Sequence, residues 1–118
     1  MWLGAGEQLF AVLGHGYTPQ MLARFGPIPR DSDNAAAKAW RTGRIAIVGS
    51  TEKTAGGIVA PMFGPSGCIG VLAFESRSNR EYDATLQAVA TLIAAQVSTA
   101  VSAWPAASGP QASAAQPA

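Results

Sequence analysis

Residues 56 to 76 read GGIVAPMFGPSGCIGVLAFES, and no other stretch of the 118-residue chain limits its possible folds so closely. Two apolar runs meet at Gly64-Pro65-Ser66-Gly67, the composition of a tight turn between antiparallel strands. Successive strand residues point to opposite faces, so Ile58, Ala60 and Met62 oppose Val59, Pro61 and Phe63 on the first run. On the second, Ile69, Val71 and Ala73 oppose Gly70, Leu72 and Phe74. Every one of these sets is apolar, and a ribbon that is apolar on both faces needs cover on both.

The chain supplies two helical patterns for that purpose. Asp31, Ser32, Asp33 and Asn34 are residues that cap free helix amides, AAAKAWRT follows them, and Gly43 is placed to end the helix. Arg44 then leads into a short β-branched strand, Ile45 to Val48. After the ribbon, Ser78-Asn79-Arg80-Glu81 matches a capping box. Beyond it Tyr82, Leu86, Val89, Ala90, Ile93, Val97, Ala100, Val101 and Trp104 recur at helical spacing, a stripe expected to lie on the sheet. The opposite side carries Thr91, Ala95, Ser98 and Ser102, small uncharged residues that would admit a second helix at close range. These four are the expected dimer face. Upstream, residues 7 to 14 read as a strand, Pro19 opens a helical turn through Arg24, and Phe25 to Pro29 is expected to be irregular because two prolines and a glycine interrupt it.

Composition narrows the function. Eight basic and seven acidic residues give a net charge of +1 with no basic stripe, which argues against a nucleic-acid partner. One cysteine rules out an internal disulfide and suits a reducing, cytoplasmic setting. The first residues, MWLGAGE, do not resemble a secretory signal. Residues 84 to 104 carry no charge and are long enough to span a bilayer, but seven of them are Thr, Gln or Ser, so membrane insertion is not expected. Residues 1–104 are therefore the expected domain. Residues 105–118, rich in Ala, Pro, Ser and Gln, have the composition of a disordered tail or linker.

The order of these elements resembles that of a GAF domain, the small-molecule-sensing relative of PAS domains. The matching pieces are QLFAVLGHGY, AAAKAWRTGR with strand IAIV, GGIVAPMF, GCIGVLAFES and the closing EYDATLQAVATLIAAQVSTAV. The resemblance implies an α+β fold, with an antiparallel sheet of about four to five strands, a long C-terminal helix on one face and a ligand cavity on the other. It also implies a bacterial signalling protein, acting as a homodimer or within a larger signalling chain. Members of the family begin with a helix and a strand ahead of the position of Leu9, where this chain has few residues. The expectation is a domain shortened at its start, and an orphaned fragment acting only in association is an alternative.

Candidate chemistry is sparse. Trp40 offers a flat indole with one donor, and Met62 and Phe63 come from the adjacent strand, so these three are the candidate ligand contacts. Some relatives are free methionine sulfoxide reductases and others attach a bilin through cysteine, which makes Cys68 the one candidate nucleophile. A reactive thiol needs a nearby cation or helix start, and Cys68 has neither in sequence, so a packing role and a non-catalytic protein are expected. His15, the single histidine, lies in GHGY, a turn. With one His and one Cys no metal set is evident, and neither haem nor bilin is expected.

Overall fold

In the computed structural model, which describes residues 1–108 and their side chains through Ala103, the apolar ribbon is the longest pair in a six-stranded sheet. Its strands are β5 (Gly56–Gly64) and β6 (Gly67–Ser76), joined where the turn composition predicts. Ahead of them come β1 (Trp2–Ala5), β2 (Gln8–Ala11), α1 (Pro19–Ala23), β3 (Ile28–Pro29), α2 (Ala35–Thr42) and β4 (Ala46–Val48). After them a single 3-10 turn, Arg77–Asn79, leads to α3 (Ala84–Ser108). The sheet order is β3-β2-β1-β6-β5-β4, and every neighbouring pair is antiparallel. The fold is therefore α+β as expected, with two strands more than the lower expected number.

The additional strands come from the first residues and from the proline-rich segment. β1 joins the two halves of the sheet, pairing Trp2 with both Ala11 and Val71. It approaches β6 so closely that a Cβ on Gly70 would collide with the Trp2 carbonyl. β3 corrects the reading of Phe25 to Pro29 as wholly irregular. Ile28 pairs with Leu9 and Pro29 with Gln8, and the next amide, Arg30, donates to Glu7 at 2.8 Å. Proline is tolerated there because β3 is an edge strand and its missing N–H costs no ladder bond on the open side.

Both faces of the ribbon are covered. On one, α2 brings Ala36, Ala39 and Trp40 onto Val59, Val71, Leu9 and Ala46. The helix forms where expected, with Asn34 Oδ1 accepting from the Ala36 amide at 2.7 Å and Gly43 closing it at φ 68°, a left-handed position that glycine takes without strain. On the other, α3 lays Ala90 and Ala94 on Ile58, Ala60 and Met62. Burying a Val or Ile side chain fully contributes about 1.5–3 kcal/mol, so these contacts dominate the local energetics. The alternation along β6 breaks once. Met62 pairs with Gly70 and Phe63 with Cys68, leaving Ile69 as the extra residue of a bulge. Ile69 consequently packs with Leu72 and Phe74 instead of with Val71.

Two expectations about α3 are corrected. The helix starts at Ala84, not behind Ser78, because Asp83 Oδ1 accepts from the Thr85 amide at 2.8 Å and from that of Leu86 at 3.3 Å. Ser78 and Asn79, within the 3-10 turn, have φ of 60° and 56°, which no α-helix admits. The packed stripe is also rotated. Leu86, Ala90 and Val97 of the expected stripe do pack on the sheet, but Ala94 and Ser98 are buried with them while Val89 and Ile93 are exposed. Small residues make the seam because the ribbon's own Ile58 and Met62 fill the space beneath it. α3 is long and apolar enough to cross a membrane by length and composition. Its backbone continues past the boundary expected at Trp104, and residues 109–118 of the expected tail lie outside the described residues.

The segment between β6 and α3 is held by acids. Arg80 pairs with Asp83 at 2.6 Å and draws the Asp83 carboxyl below its ordinary value of 3.8. Glu81 is buried, and the polar groups of Ser50, its hydroxyl first and its amide next, hold the carboxyl below 4.5. Stability from such depressed carboxyls is complete above their unfolded values and is lost as pH falls through the folded ones. Thermal denaturation should therefore show melting temperature falling below about pH 4, and an E81Q/D83N variant, less stable at neutral pH, should show a flatter acid limb. In denaturant titrations Asp83→Ala should cost about 1 kcal/mol, as loss of a helix cap does. Ser78→Ala should cost less than about 0.5 kcal/mol, because Ser78 caps nothing.

Candidate functional site

The sheet face that α2 covers is not covered along its whole length. Beside α2, between the segment after β2 and the β4–β5 loop, lies an open cleft of about 660 Å³. This volume falls within the usual range for small-molecule sites. Its floor is the ribbon itself, with Gly57, Val59 and Ala73. One wall is aromatic: Phe25 lies 6.0 Å from Trp2 and 5.5 Å from Tyr17, centroid to centroid, the second pair edge-on. The opposite wall is formed by Val48, Ala55 and Gly56, and His15, Glu75 and Arg77 stand at the rim. Tyr17 and Phe25 are largely exposed for aromatic residues, at 48% and 43%. The cleft can accept a flat ring on an apolar floor and offers both signs of charge at its edge.

The candidate ligand contacts from the sequence do not assemble there. Trp40 is only 5% exposed, donates its indole N–H to the Cys68 carbonyl at 3.2 Å and lies flat against Gly4, where any Cβ would strike the ring. The Arg30 guanidinium stacks over it, 4.5 Å from the ring centroid. Trp40 thus packs as a core anchor of α2 and lies outside the cleft lining. Met62 is fully buried beneath α3, on the opposite side of the sheet. Phe63, displaced by the bulge, is exposed and lines a groove of about 430 Å³ along the flank of α3 with Ile45, Pro61, Thr91 and Ala95.

That groove gathers two residues of the expected dimer face, Thr91 and Ala95. Ser102 is exposed nearby, 3.3 Å from the position a Cβ would take on Gly64. Ser98 does not belong to an outward face. It is 2% exposed, and its hydroxyl donates to the Phe63 carbonyl, because the bulge leaves that carbonyl turned toward α3.

Cys68 is half-buried, and its thiol donates to the Gly70 carbonyl at 3.4 Å. Burial pushes its pKa up, the opposite of what a thiolate nucleophile requires. Among the described residues no group of three His, Cys, Asp or Glu side chains stands close enough to hold a metal ion.

The cleft residues Trp2, Tyr17, Phe25 and Arg77 were not singled out in the sequence, and neither was the buried role of Glu81. A run such as GYTPQMLARFGP carries one usable signal, aromatic residues within a segment too broken by Gly and Pro to bury them in a regular element.

None of the curated proteins compared matches the chain. A family model described as a GAF domain matches residues 2–103. With an antiparallel sheet, a closing C-terminal helix and that match over most of its length, the chain belongs to the GAF domain family, whose members are in general signalling and sensory domains, regulatory and not catalytic.

Proposed function

We propose that the chain is a non-catalytic sensory domain that takes a small planar molecule in the cleft beside α2. The observation that carries this reading is an apolar floor and aromatic wall left open to solvent on a sheet face that is otherwise sealed. Exposed aromatic surface in a concave site is stabilised by a ring that covers it, while His15, Glu75 and Arg77 would set its orientation through polar substituents. The raised thiol of Cys68 and its bond to Gly70 support a packing role over sulfoxide reduction. The packing of Ala90, Ala94 and Ser98 on the sheet supports α3 as a cover and not a membrane span.

A second observation favours self-association by way of α3. From Ala84 to Ala103 the helix has no charged residue, and Leu92 is 67% exposed beside Val89 and Ile93. A solvent face of this composition is better satisfied against a second uncharged helix than against water.

For the cleft, thermal shift with a panel of small heteroaromatics (adenine, nicotinate, indole-3-carboxylate) is the direct test. A ligand present at about 100 times its Kd adds about 2.7 kcal/mol, a shift of several degrees. Ala73→Trp, which fills the floor, should abolish the shift while leaving the far-ultraviolet circular dichroism unchanged. Binding that persists in this variant would overturn the assignment of the cleft. For α3, sedimentation velocity should show a dimer that Leu92→Asp converts to monomer with its melting temperature within a few degrees of the parent's, and a parent that stays monomeric at high concentration would refute the pairing.

A further inference from the structure

We infer that Glu81 is a coupling residue, joining the β4–β5 wall of the cleft to the start of α3. The loop after β4 is closed on itself: the Thr51 amide donates to the Thr54 carbonyl at 2.9 Å, and Thr51 Oγ1 accepts from the Thr54 amide at 3.0 Å. Outside the loop, the Ser50 amide donates to Glu81 Oε2 at 2.7 Å across 31 positions of sequence. Tyr82 Oη also stands 3.3 Å from the place a Cβ on Gly49 would occupy.

The carboxyl also rests against the first residue of β5. A Cβ on Gly56 would fall 2.6 Å from Oε2, so only glycine leaves room for this side chain, and Gly56 itself lines the cleft. On its other side, the Glu81 carbonyl accepts from Gln87 Nε2 at 3.1 Å, which fixes the residue to the second turn of α3. Glu81 is 2% exposed, and its Oε1 has no hydrogen-bond partner among the described residues. A buried carboxyl with one satisfied and one unsatisfied oxygen is costly, and a capping role does not account for it, since Asp83 caps α3. What the arrangement does provide is a short path of contacts from the cleft wall through one side chain to the helix. Displacement of the wall by an occupant would draw on the Ser50 bond and thereby on the first turns of α3.

The role of cleft occupancy rests on the function proposed above, but the mechanical tie does not, so it is tested without ligand. Hydrogen–deuterium exchange would be compared between the full chain and its Glu81→Leu and Glu81→Gln variants. Loss of one charge-assisted hydrogen bond predicts about tenfold faster exchange. That acceleration is expected in residues 50–56 and in residues 88–94 together, smaller in Glu81→Gln, which retains an acceptor, while the β5 and β6 amides around Val59 and Val71 keep their protection. Acceleration confined to residues 50–56 would overturn the inference, leaving Glu81 a local pin. Uniform acceleration that includes Val59 and Val71 would overturn it too, as a loss of global stability. Should Glu81→Leu fail to fold, Glu81→Gln carries the same comparison. A negative ligand titration bears only on the cleft, and a negative exchange result only on the tie.

Discussion

The architecture depends on sealing both faces of the β5–β6 ribbon. Two adjacent strands that are apolar above and below cannot be left as an open hairpin, and Val71 is withdrawn completely from solvent while Ile58 and Met62 are withdrawn on the reverse. α2 and α3 are the two seals, and they differ in kind. α2 is short and anchored by one large side chain, Trp40, which reaches the far strand through its bond to Cys68 and presses on Gly4 of β1. α3 is long and makes a shallow seam of Ala90, Ala94 and Ser98, in which close approach substitutes for bulky side chains.

The two seals leave different remainders. Beside α2 the uncovered sheet becomes a cleft with an aromatic wall, whereas beside α3 it becomes a groove lined by Ile45, Pro61, Phe63, Thr91 and Ala95. The ribbon is the floor of both. Between them the segment after β6 turns through Ser78 and Asn79, both in the left-handed region, where non-glycine residues are costly. It is held there by short polar contacts: the Arg80 amide on Ser76 Oγ, the Arg80–Asp83 pair and the Glu81–Ser50 bond. The junction between cleft and helix is thus strained in its backbone and bound by charge.

Much of the fold was legible in the sequence because local chemistry and long-range packing agree there. The run Asp31 to Asn34 and Gly43 bracket α2 in the sequence, Asn34 and Gly43 are its caps in the structure, and the Gly64–Gly67 turn is where its composition puts it. The reading failed where tertiary partners overrode a local signal. Ser78 to Glu81 spells a capping box, yet the chain bends through Ser78 because Glu81 is drawn inward to Ser50, and the cap passes to Asp83. The candidate site rests on contacts that local sequence does not encode. The chemistry of Trp40 suits a ligand contact and a core equally, and its place against Val59, Val71 and the Cys68 carbonyl is set by neighbours far away in the chain.

Residue chemistry alone determined that this chain must bury a two-faced ribbon between helices, since alternating apolar sets and capping residues act over a few neighbours and need no knowledge of the rest. It also settled, through the match over residues 2–103, the family to which the chain belongs. Tertiary structure alone decided where the helices lie on that ribbon, because the bulge at Ile69 resets which residues face α3. It likewise decided that Trp2, Tyr17 and Phe25 meet in one wall and that Glu81 reaches Ser50. Those contacts join residues far apart in the chain, and their energies depend on distances that only the closed fold sets.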